Sequence, residues 1–339
     1  MAIYGKSFAS ASGTGGAGGR IKVNVDTGAV VTATKGGETV TGTSVDGSVT
    51  IKVRSDGEWT LSAAKDGMTT PESKVVPVPQ EVTLWFADPT LNNNTWAQIK
   101  GVSDKSQGAN YWSVGDRKSV VLNGTVGYGS TARTFSNQTY WVYIIGFDHN
   151  SAKEGKGIAF QGFKTAQTGG IDIAVTGTNY NNSGSGMIMN STSTNAGGWN
   201  GSWAHTTCMT QWKNCFPSDL QAVIRTTTLY TDNTGGSSTS ASAVTANSNE
   251  VYYLAEYEVF GSNHYANTNE PAQQAQYDYY KAGNSKKKYK SDNTSSAAYW
   301  WLRSPGRSRS GSFCSVITDG SADYNLANYS YGSAPAFKV

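Results

Sequence analysis

The sequence predicts an α+β protein in which a small all-β domain precedes a larger domain with many short strands and few helices. Charged residues make up only 15% of the 339-residue chain, against roughly a quarter in an average globular protein. Gly, Ser, Thr, Asn, Trp and Tyr, which favour loops and strands, are frequent. Apolar and polar side chains alternate through residues 20–78. A chain of this length is expected to form two domains.

Residues 1–19 end in the Gly/Ser/Ala-rich stretch SFASASGTGGAGG, which predicts a flexible N-terminal segment. Residues 20–79 are predicted to form a small β-sandwich, in which turn signals such as Lys35-Gly36-Gly37 separate short apolar runs. This domain resembles the immunoglobulin-like or carboxypeptidase-regulatory modules appended to phage tail proteins, which implies a spacer role. Val75–Pro79 is predicted to be an extended linker at its end.

Residues 80–339 are predicted to form the larger domain. Its helices are expected at residues 95–105, 218–226 and 271–281. Its strands are expected at residues 119–122, 140–147, 157–163, 251–258, 298–303, 313–316 and 336–339. The polar stretches 178–203 and 230–250 are expected to be loops, and long loops inside a compact domain are often functional.

A pattern of fixed residues interrupted by short polar runs extends from Trp300 to Val339. The fixed residues are Arg303-Ser304-Pro305, Phe313-Cys314, Val316, Asp319-Gly320-Ser321-Ala322, Ala327, Ser330, Gly332, Pro335 and Phe337. This pattern resembles the variable region of C-type lectin-fold proteins that retroelements diversify in phages and bacteria. Trp141–Asn150 and Leu254–Gly261 are similar to upstream segments of the same domain in prophage-borne members. Ser333 and Ala336 are mild departures, because relatives often carry an aliphatic residue and Gly there.

The resemblance implies that residues 80–339 form a C-type lectin-like domain, of the fold group that also contains formylglycine-generating enzymes, with a variable region at about 304–334. It implies a receptor-binding protein of a phage tail fibre or a prophage-encoded relative, diversified by adenine-directed mutagenesis, and not an enzyme. The expected partner is a protein or glycan on the surface of a host bacterium. We expect a location in the virion or on a bacterial surface after synthesis in the cytoplasm, because Met1–Lys6 has no apolar signal-peptide region.

Residue composition gives a separate argument for diversification. When adenines are randomised in AAY codons, the resulting NNY codons cannot encode Lys, Glu, Gln, Met or Trp. None of these types occurs from Ser304 to Ala334. Polar loops can lack them as well, since Thr226–Asn249 also contains none. The depletion therefore supports the resemblance.

The predicted binding face consists of residues between the fixed positions. Its composition is typical of an antibody paratope, in which Tyr supplies rigid contact area and Ser, Gly and Asn supply adaptable hydrogen bonds. The candidate binding residues are Gly306, Arg307, Ser308, Arg309, Gly311, Ser312, Ser315, Ile317, Asp323, Tyr324, Asn325, Leu326, Asn328, Tyr329 and Tyr331. The fixed residues expected to be packed or hydrogen-bonded beneath this face are Trp300, Trp301, Arg303, Pro305, Phe313, Val316, Ala322, Pro335 and Phe337.

Two groups of titratable residues allow other chemistry. Asp148-His149, with Glu154 nearby, fits either a general acid–base pair or a histidine that orders the following loop. Glu256 and Glu258 would share one face of the expected strand. They fit either paired catalytic carboxylates or carboxylates that support a loop by accepting backbone hydrogen bonds or by meeting Arg303.

The cysteines and a lysine cluster are further candidates. Cys208 and Cys215 either pair or are unrelated thiols, and with His205 they form a weak candidate for a metal site. Cys314 is expected to be a small buried side chain. Lys286-Lys287-Lys288 is expected on a solvated loop, or in contact with an anionic surface such as a phosphorylated cell-wall polymer.

Charge and hydropathy restrict the class of partner. A net charge of +3 does not predict a nucleic-acid partner, and the absence of an apolar run of about 18 residues argues against membrane insertion. No cofactor is predicted, because the calcium that familiar lectins of this fold use cannot be given a ligand set here. A homotrimer would match the symmetry of a fibre, although no coiled coil is present. The alternative functions are a non-diversified bacterial surface adhesin or glycan-binding lectin, and an enzyme acting on cell-surface glycan.

Overall fold

A computed structural model describes residues 19–70, 73–84 and 86–339 of the chain. The chain divides into two units, Met1–Asp88 and Pro89–Val339. The described residues form a mixed α+β structure with mostly strands, few short helices and several small sheets, which confirms the predicted class. The predicted flexible segment 1–19 lies outside the described residues except for Gly19.

The described residues of the first unit form two small sheets. The strands are β1 (Arg20–Asn24), β2 (Val30–Lys35), β3 (Glu38–Thr43), β4 (Ser48–Lys52), β5 (Trp59–Lys65), β6 (Met68–Thr69), β7 (Lys74–Val76) and β8 (Gln80–Thr83). One sheet has the order β4-β1-β8, and the other has the order β3-β2-β5-β6 with β7 also beside β5. Ile21, Val23, Val31, Ala33 and Trp59 are completely buried. Alternate strand residues therefore build the apolar core, as the period-two pattern predicts.

Tight turns with left-handed backbone connect neighbouring strands of this unit. Gly36 and Gly37 have φ angles of 55° and 86° and join β2 to β3. Asp66 and Gly67 have φ angles of 49° and 79° and join β5 to β6. Two successive residues with positive φ form the turn whose twist matches that of paired strands, which explains the preference for Gly at these positions.

Val75–Pro79, predicted to be an extended linker, is part of the first unit. β7 pairs with β5, and β8 follows to pair in parallel with β1. An extended segment offers unpaired backbone groups that an exposed sheet edge can bind. The segment therefore contributes to the sheets, and the first unit continues to Asp88.

The second unit is organised around a five-stranded antiparallel sheet with the order β15-β21-β11-β10-β9. The strands of this unit are β9 (Arg117–Val126), β10 (Arg133–Phe147), β11 (Ile158–Lys164), β12 (Ile173–Ala174), β13 (Thr227–Asp232), β14 (Val244–Asn249), β15 (Val251–Tyr252), β16 (Lys288–Lys290), β17 (Asn293–Ala298), β18 (Trp300–Pro305), β19 (Ser312–Val316), β20 (Ala322–Leu326) and β21 (Ala336–Lys338). Three further sheets are β12-β16-β17, β13-β14 and β18-β19-β20.

The helices of the second unit are short. They are α1 (Trp96–Asp104), α2 (Gly108–Tyr111), α3 (Ser151–Glu154), α4 (Met209–Cys215), α5 (Ser218–Gln221), α6 (Glu256–Phe260) and α7 (Asp278–Lys281). Thr95 and Gln98 form a reciprocal capping box at the start of α1. The ring of Trp96 contacts Phe160 of the central sheet at 5.4 Å between centroids. In the described part of the chain, no helix has the length and apolar character needed to span a bilayer.

Two predicted helices are shorter in the structure. The segment 218–226 is helical only in α5, because Arg225 N donates to Lys338 O of β21 and turns the chain towards the sheet. The segment 271–281 is helical only at Glu270–Ala272 and in α7. The helix is interrupted between these two parts because Tyr277 N donates to Glu258 O, which lies outside the segment, and not to a carbonyl oxygen of the preceding turn.

The predicted strand 251–258 and the predicted loop 230–250 are also wrong in part. Only Val251–Tyr252 forms a strand, β15, and Glu256 begins helix α6, whose first turn is capped because Ala255 N donates to Glu258 Oε2 at 2.9 Å. Residues 230–232 and 244–249 of the expected loop belong to the paired strands β13 and β14, while residues 233–243 form the loop that joins them. The β-branched residues of β13 favour this conformation, and tertiary packing decides where it begins and ends.

Candidate binding face

The predicted variable region, residues 304–334, supplies the end of β18 and the whole of β19 and β20 in the sheet β18-β19-β20. The two outer strands both pair antiparallel with β19. Phe313 lies opposite Asn325, Cys314 opposite Tyr324 and Ser315 opposite Asp323. All five residues of β19 are buried, so both faces of this strand are covered, whereas the β20 residues opposite them are half-buried or exposed.

Most of the fifteen predicted binding residues are accessible to solvent. The exposed and half-buried ones, which we call the candidate face, are Arg307, Ser308, Arg309, Gly311, Ile317, Asp323, Tyr324, Asn325, Leu326, Asn328 and Tyr329. They belong to β20, to the loops at residues 306–311 and 317–321, and to the turn after β20. The structure therefore brings residues from separate runs of the sequence to one sheet and its adjoining loops.

Four predicted binding residues are buried: Gly306, Ser312, Ser315 and Tyr331. Tyr331 is 2% exposed because its ring packs against Tyr299 and Trp301, each at 4.9 Å between centroids. Its hydroxyl accepts a hydrogen bond from Asn325 Nδ2. Tyr331 therefore supports the candidate face from below, whereas the sequence analysis assigned it to the surface.

The fixed residues form the layer beneath the candidate face. Of the nine expected to be packed or hydrogen-bonded, only Ala322 is half-buried and the others are buried. Trp300 Nε1 donates to Lys286 O at 2.9 Å, and Trp301 Nε1 donates to Met187 O at 2.8 Å. These bonds satisfy the single polar group of each buried indole ring, and they connect β18 to two distant segments of the chain.

A buried ion pair lies at the centre of this layer. Arg303 Nη1 and Nη2 donate to the two carboxylate oxygens of Glu258 at 2.6 and 2.5 Å, and both side chains are completely buried. Arg303 Nε donates to Thr231 Oγ1 at 2.7 Å, and Nη1 also donates to Tyr253 O at 2.9 Å. One guanidinium therefore joins β18, α6, β13 and the segment after β15 through the bidentate geometry that arginine favours.

Both members of the pair are held in their charged forms. Burial is the largest single influence on the pKa of Arg303 and lowers it, but the charge and hydrogen bonds of Glu258, together with Tyr277 and Glu270, raise the pKa above its ordinary value. Burial likewise favours a higher pKa for Glu258, but the charge and hydrogen bonds of Arg303, together with His149 and Ala255 N–H, lower it. Of the two roles considered for Glu258, catalysis and contact with Arg303, the structure therefore shows the contact with Arg303.

Glu270 forms a second buried polar link next to this pair. Its carboxylate accepts a hydrogen bond from Ser304 Oγ at 2.7 Å and another from Asp232 N at 3.0 Å. Burial raises the pKa of Glu270 to about 7, although both hydrogen bonds act in the opposite direction. Glu270 therefore ties the end of β13 to β18 and changes its protonation state near neutral pH.

The loop at residues 306–311 is held through its backbone by Asn195, which is completely buried. Asn195 Nδ2 lies 2.8 Å from the carbonyl oxygens of Arg309 and Ser312, to which it donates, and 3.4 Å from that of Gly306. Its Oδ1 accepts a hydrogen bond from Gly236 N at 2.7 Å. Because only backbone atoms of the loop are involved, its exposed side chains can differ without loss of these contacts.

Glu256 holds the neighbouring loop in the same manner. Its carboxylate accepts backbone N–H bonds from His264, Tyr265 and Ala266, the shortest at 2.8 Å. Burial raises the pKa of Glu256, and these three bonds partly offset the increase. The ring of Tyr265 contacts Tyr324 of the candidate face at 4.9 Å between centroids. Of the two roles considered for Glu256, catalysis and support of a loop, the structure therefore shows support of a loop.

The predicted acid–base candidates are enclosed in the same unit. His149 is 6% exposed and stacks on Tyr277 at 3.6 Å between centroids, and burial lowers its pKa to about 4. Asp148 Oδ1 accepts a hydrogen bond from Gly157 N at 2.8 Å. Burial raises the pKa of Glu154 to about 7 even though Lys338 Nζ donates to it at 2.9 Å. Asp148 and His149 therefore order the following loop, which is the second of the two roles considered for them.

One of the described clusters has the spacing of metal ligands. His149, Glu154 and Glu258 bring potential ligand atoms within 4.8 Å of one another. The cations Lys338 and Arg303 already pair with the two carboxylates. A divalent ion would add positive charge to a site whose anions are already neutralised, so the donor set does not favour a metal.

The cysteines form no disulfide in the structure, and part of the lysine cluster is buried. Cys208, Cys215 and Cys314 are free and buried, and burial raises the pKa of Cys215 to about 11, as expected for unreactive thiols. Lys288 was expected on a solvated loop but is 1% exposed, since Lys288 Nζ donates to Tyr143 OH at 2.8 Å. Only Lys286 and Lys287 of the cluster are half-buried at the surface.

Asn195, Glu270 and Tyr265 support the candidate face but were not identified from the sequence. Asn195 is more than 100 positions from the loop that it holds, with a separation of 114 from Arg309. A single Asn or Glu in a polar stretch carries no local signal of burial. For Asn195 the only indication was the length of the loop 178–203, which predicted a role without naming a residue, and neither Glu270 nor Tyr265 lies in that loop.

Comparison with known proteins gives one match. Residues 179–339 match the family model described as a domain of unknown function, DUF6273. The matched segment contains Asn195, Glu258, Glu270 and the whole of β18–β20. No curated protein and no solved structure matches the chain.

The first prediction concerns the buried ion pair. Arg303→Met should destabilise the chain by about 3–5 kcal/mol, because Glu258 would be left buried without its partner. Arg309→Met, at an exposed position, should change stability by about 0.5 kcal/mol or less. Equilibrium urea unfolding of both variants measures the difference, and equal small losses would contradict the assigned role of Arg303.

The second prediction concerns pH. Because the pKa of Glu270 is raised from 4.5 to about 7, the folded state binds more protons between these values. The contribution of Glu270 to stability is therefore fully present below this window and is lost as the pH rises through it. Glu270→Gln should reduce the fall between pH 5 and pH 8 by up to about 3 kcal/mol, while the exposed control Glu58→Gln should not. Unfolding curves at several pH values test this, and an unchanged slope in Glu270→Gln would refute it.

Proposed function

We propose that this chain is a ligand-recognition protein with a variable binding face on a C-type lectin-like domain. It would belong to the class that retroelements diversify by adenine-directed mutagenesis in phages and prophages. The proposal rests on one observation at β18–β20: the accessible residues and the residues that hold the backbone in place are different sets. The eleven accessible candidate residues lie above a buried layer, and the polar groups of that layer hold the loops through backbone atoms.

The chemistry of the candidate face supports recognition. Arg309 lies over the ring of Tyr324, with 4.7 Å between the guanidinium carbon and the ring centroid, and Tyr265 packs on the same ring. This arrangement limits the freedom of large side chains before a ligand binds, so less entropy is lost on binding. Tyr and Arg are also the types that dominate interface energies.

The partner we propose is a protein or glycan on the surface of a host bacterium, and the site of action is a phage tail fibre or a bacterial surface. The first unit would act as an immunoglobulin-like spacer, because its described residues form small sheets around an apolar core. Several copies on one fibre would raise the affinity of a weak single face through avidity.

Non-enzymatic action is part of the proposal. The carboxylates that could have served a glycan-cleaving reaction, Glu256 and Glu258, are buried and bound to backbone amides and to Arg303. The candidate base His149 is likewise buried. A reaction would require these groups to contact a substrate, and their burial supports a binding role instead.

Removal of one large face residue should weaken binding without unfolding the chain. The fluorescently labelled full chain is applied to a panel of intact bacterial strains, and binding is measured by flow cytometry. On a strain that binds the parent chain, Tyr329→Ala or Arg309→Ala should lower affinity about 30-fold, corresponding to a loss of about 2 kcal/mol at a central residue. The melting temperature should change by only a few degrees, because both side chains are accessible.

Val121→Ala is the matched control, because Val121 is 40% exposed on β9 and is not part of the candidate face. It should leave cell binding unchanged. Equal binding by the parent, the two face variants and the control would reject the candidate face. Loss of folding in a face variant would instead assign that residue to the supporting layer.

A further inference from the structure

A cavity of about 370 Å³ opens beside the candidate face. It is lined by Phe260, His264, Tyr265, Lys286, Gly320, Ser321 and Ala322. None of these belongs to the fifteen predicted binding residues, and the last three belong to the fixed Asp319-Gly320-Ser321-Ala322 motif. The volume lies within the roughly 300–1,000 Å³ that is typical of small-ligand sites.

Buried contacts hold two walls of the cavity in place. The loop that carries His264 and Tyr265 is fixed by the carboxylate of Glu256. The opposite wall is fixed where Trp300 Nε1 donates to Lys286 O at 2.9 Å. Side chains on such anchored backbone are preorganised, which lowers the entropic cost of binding a ligand.

Gly320 allows the close approach that completes the second wall. Its φ is +94°, and a Cβ atom there would lie 3.3 Å from Lys287 N. Any other residue would be strained by this backbone conformation and would press against the segment that carries Lys286. The fixed glycine therefore serves the shape of the cavity as well as the turn.

The cavity combines flat aromatic surface with positive charge. Phe260, His264 and Tyr265 contribute rings, and Lys286 Nζ lies 5.5 Å from the ring centroid of Phe260. No carboxylate lines the cavity among the residues that the structure describes. Ser321 is exposed at the edge of the cavity, where its hydroxyl and its N–H both hydrogen-bond to the carboxylate of Asp319.

We propose that this cavity is a constant subsite for a saccharide unit that carries a negatively charged group. An aromatic ring can pack against the apolar C–H face of a sugar ring, while Lys286 Nζ forms a charge-assisted hydrogen bond with the carboxylate or phosphate of the ligand. The variable residues would then read the part of the ligand that extends beyond the cavity. Only this last role rests on the proposed function, because the saccharide site itself does not require diversification.

The cavity adjoins the candidate face through direct contacts. Arg307 N donates to Tyr265 O at 2.7 Å, and Tyr265 also packs against Tyr324. A ligand unit in the cavity would therefore continue onto β20 without crossing a gap. Substitutions on the face would change the affinity for an extended ligand but leave the anionic unit bound.

The test is titration of the full chain by ligand-observed NMR with four probes: digalacturonate, glucose 6-phosphate, maltose and triaspartate. We expect at least one of the two anionic sugars to bind at least about ten-fold more tightly than maltose or triaspartate, and the comparison between them identifies carboxylate or phosphate. Lys286→Gln should weaken that binding about ten-fold, and Lys286→Arg should largely preserve it. Lys281→Gln, at an exposed position outside the cavity, is the matched control.

The proposal is overturned if neither anionic sugar binds, if maltose or triaspartate binds as tightly as they do, or if Lys286→Gln has no effect. A failure of the saccharide site can be distinguished from a failure of the proposed function, because Arg309→Ala and Tyr329→Ala should still bind the anionic sugar. Loss of cell binding in those variants without any sugar binding by the parent would reject the subsite alone. Sugar binding together with unchanged cell binding by the face variants would reject the variable face alone.

Discussion

The buried pair between Arg303 and Glu258 is the constraint on which the second unit depends. Two charges that are completely removed from water must satisfy one another, because either alone would carry a large desolvation cost. The pair also fixes the geometry, since the planar guanidinium contacts Glu258, Thr231 and Tyr253 O at once. The strand β18 is thereby held in one position relative to α6 and β13. Every residue of the candidate face follows β18 in the sequence and is built on that position.

Above this centre, support reaches the surface mainly through backbone atoms. Asn195 donates to carbonyl oxygens of the loop 306–311 and of Ser312, and Glu256 accepts from three consecutive amides of the adjoining loop. Backbone groups are the same whatever side chain a position carries. Face residues can therefore change while the supporting hydrogen bonds persist. This is the physical requirement for a surface that varies in sequence but not in shape.

The sequence predicted the features that depend on local chemistry. The strong alternation and the Gly-containing turns located the strands of the first unit, and the fixed residues around Trp300 and Phe313 located the buried layer. Prediction from the sequence failed where contacts between residues far apart in the chain determine the local structure or the burial of a side chain. Glu256 and Glu258 have the spacing of a strand, yet the hydrogen bond from Ala255 N to Glu258 begins a helix. Asn195 and Glu270 were not found because their partners lie far away in the chain, and the burial of Tyr331 depends on its contacts with Tyr299 and Trp301.

Sequencing many copies of this gene from one population, together with the flanking DNA, shows whether the candidate face is diversified. We expect substitutions concentrated at the exposed and half-buried residues of the candidate face and traceable to adenines in a nearby template repeat. Arg303, Glu258, Asn195 and Glu256 should be unchanged in the same copies. An invariant region without a template repeat, or substitutions that fall equally on Arg303 and on Tyr329, would contradict the account. An invariant region would favour a binding protein with one fixed ligand.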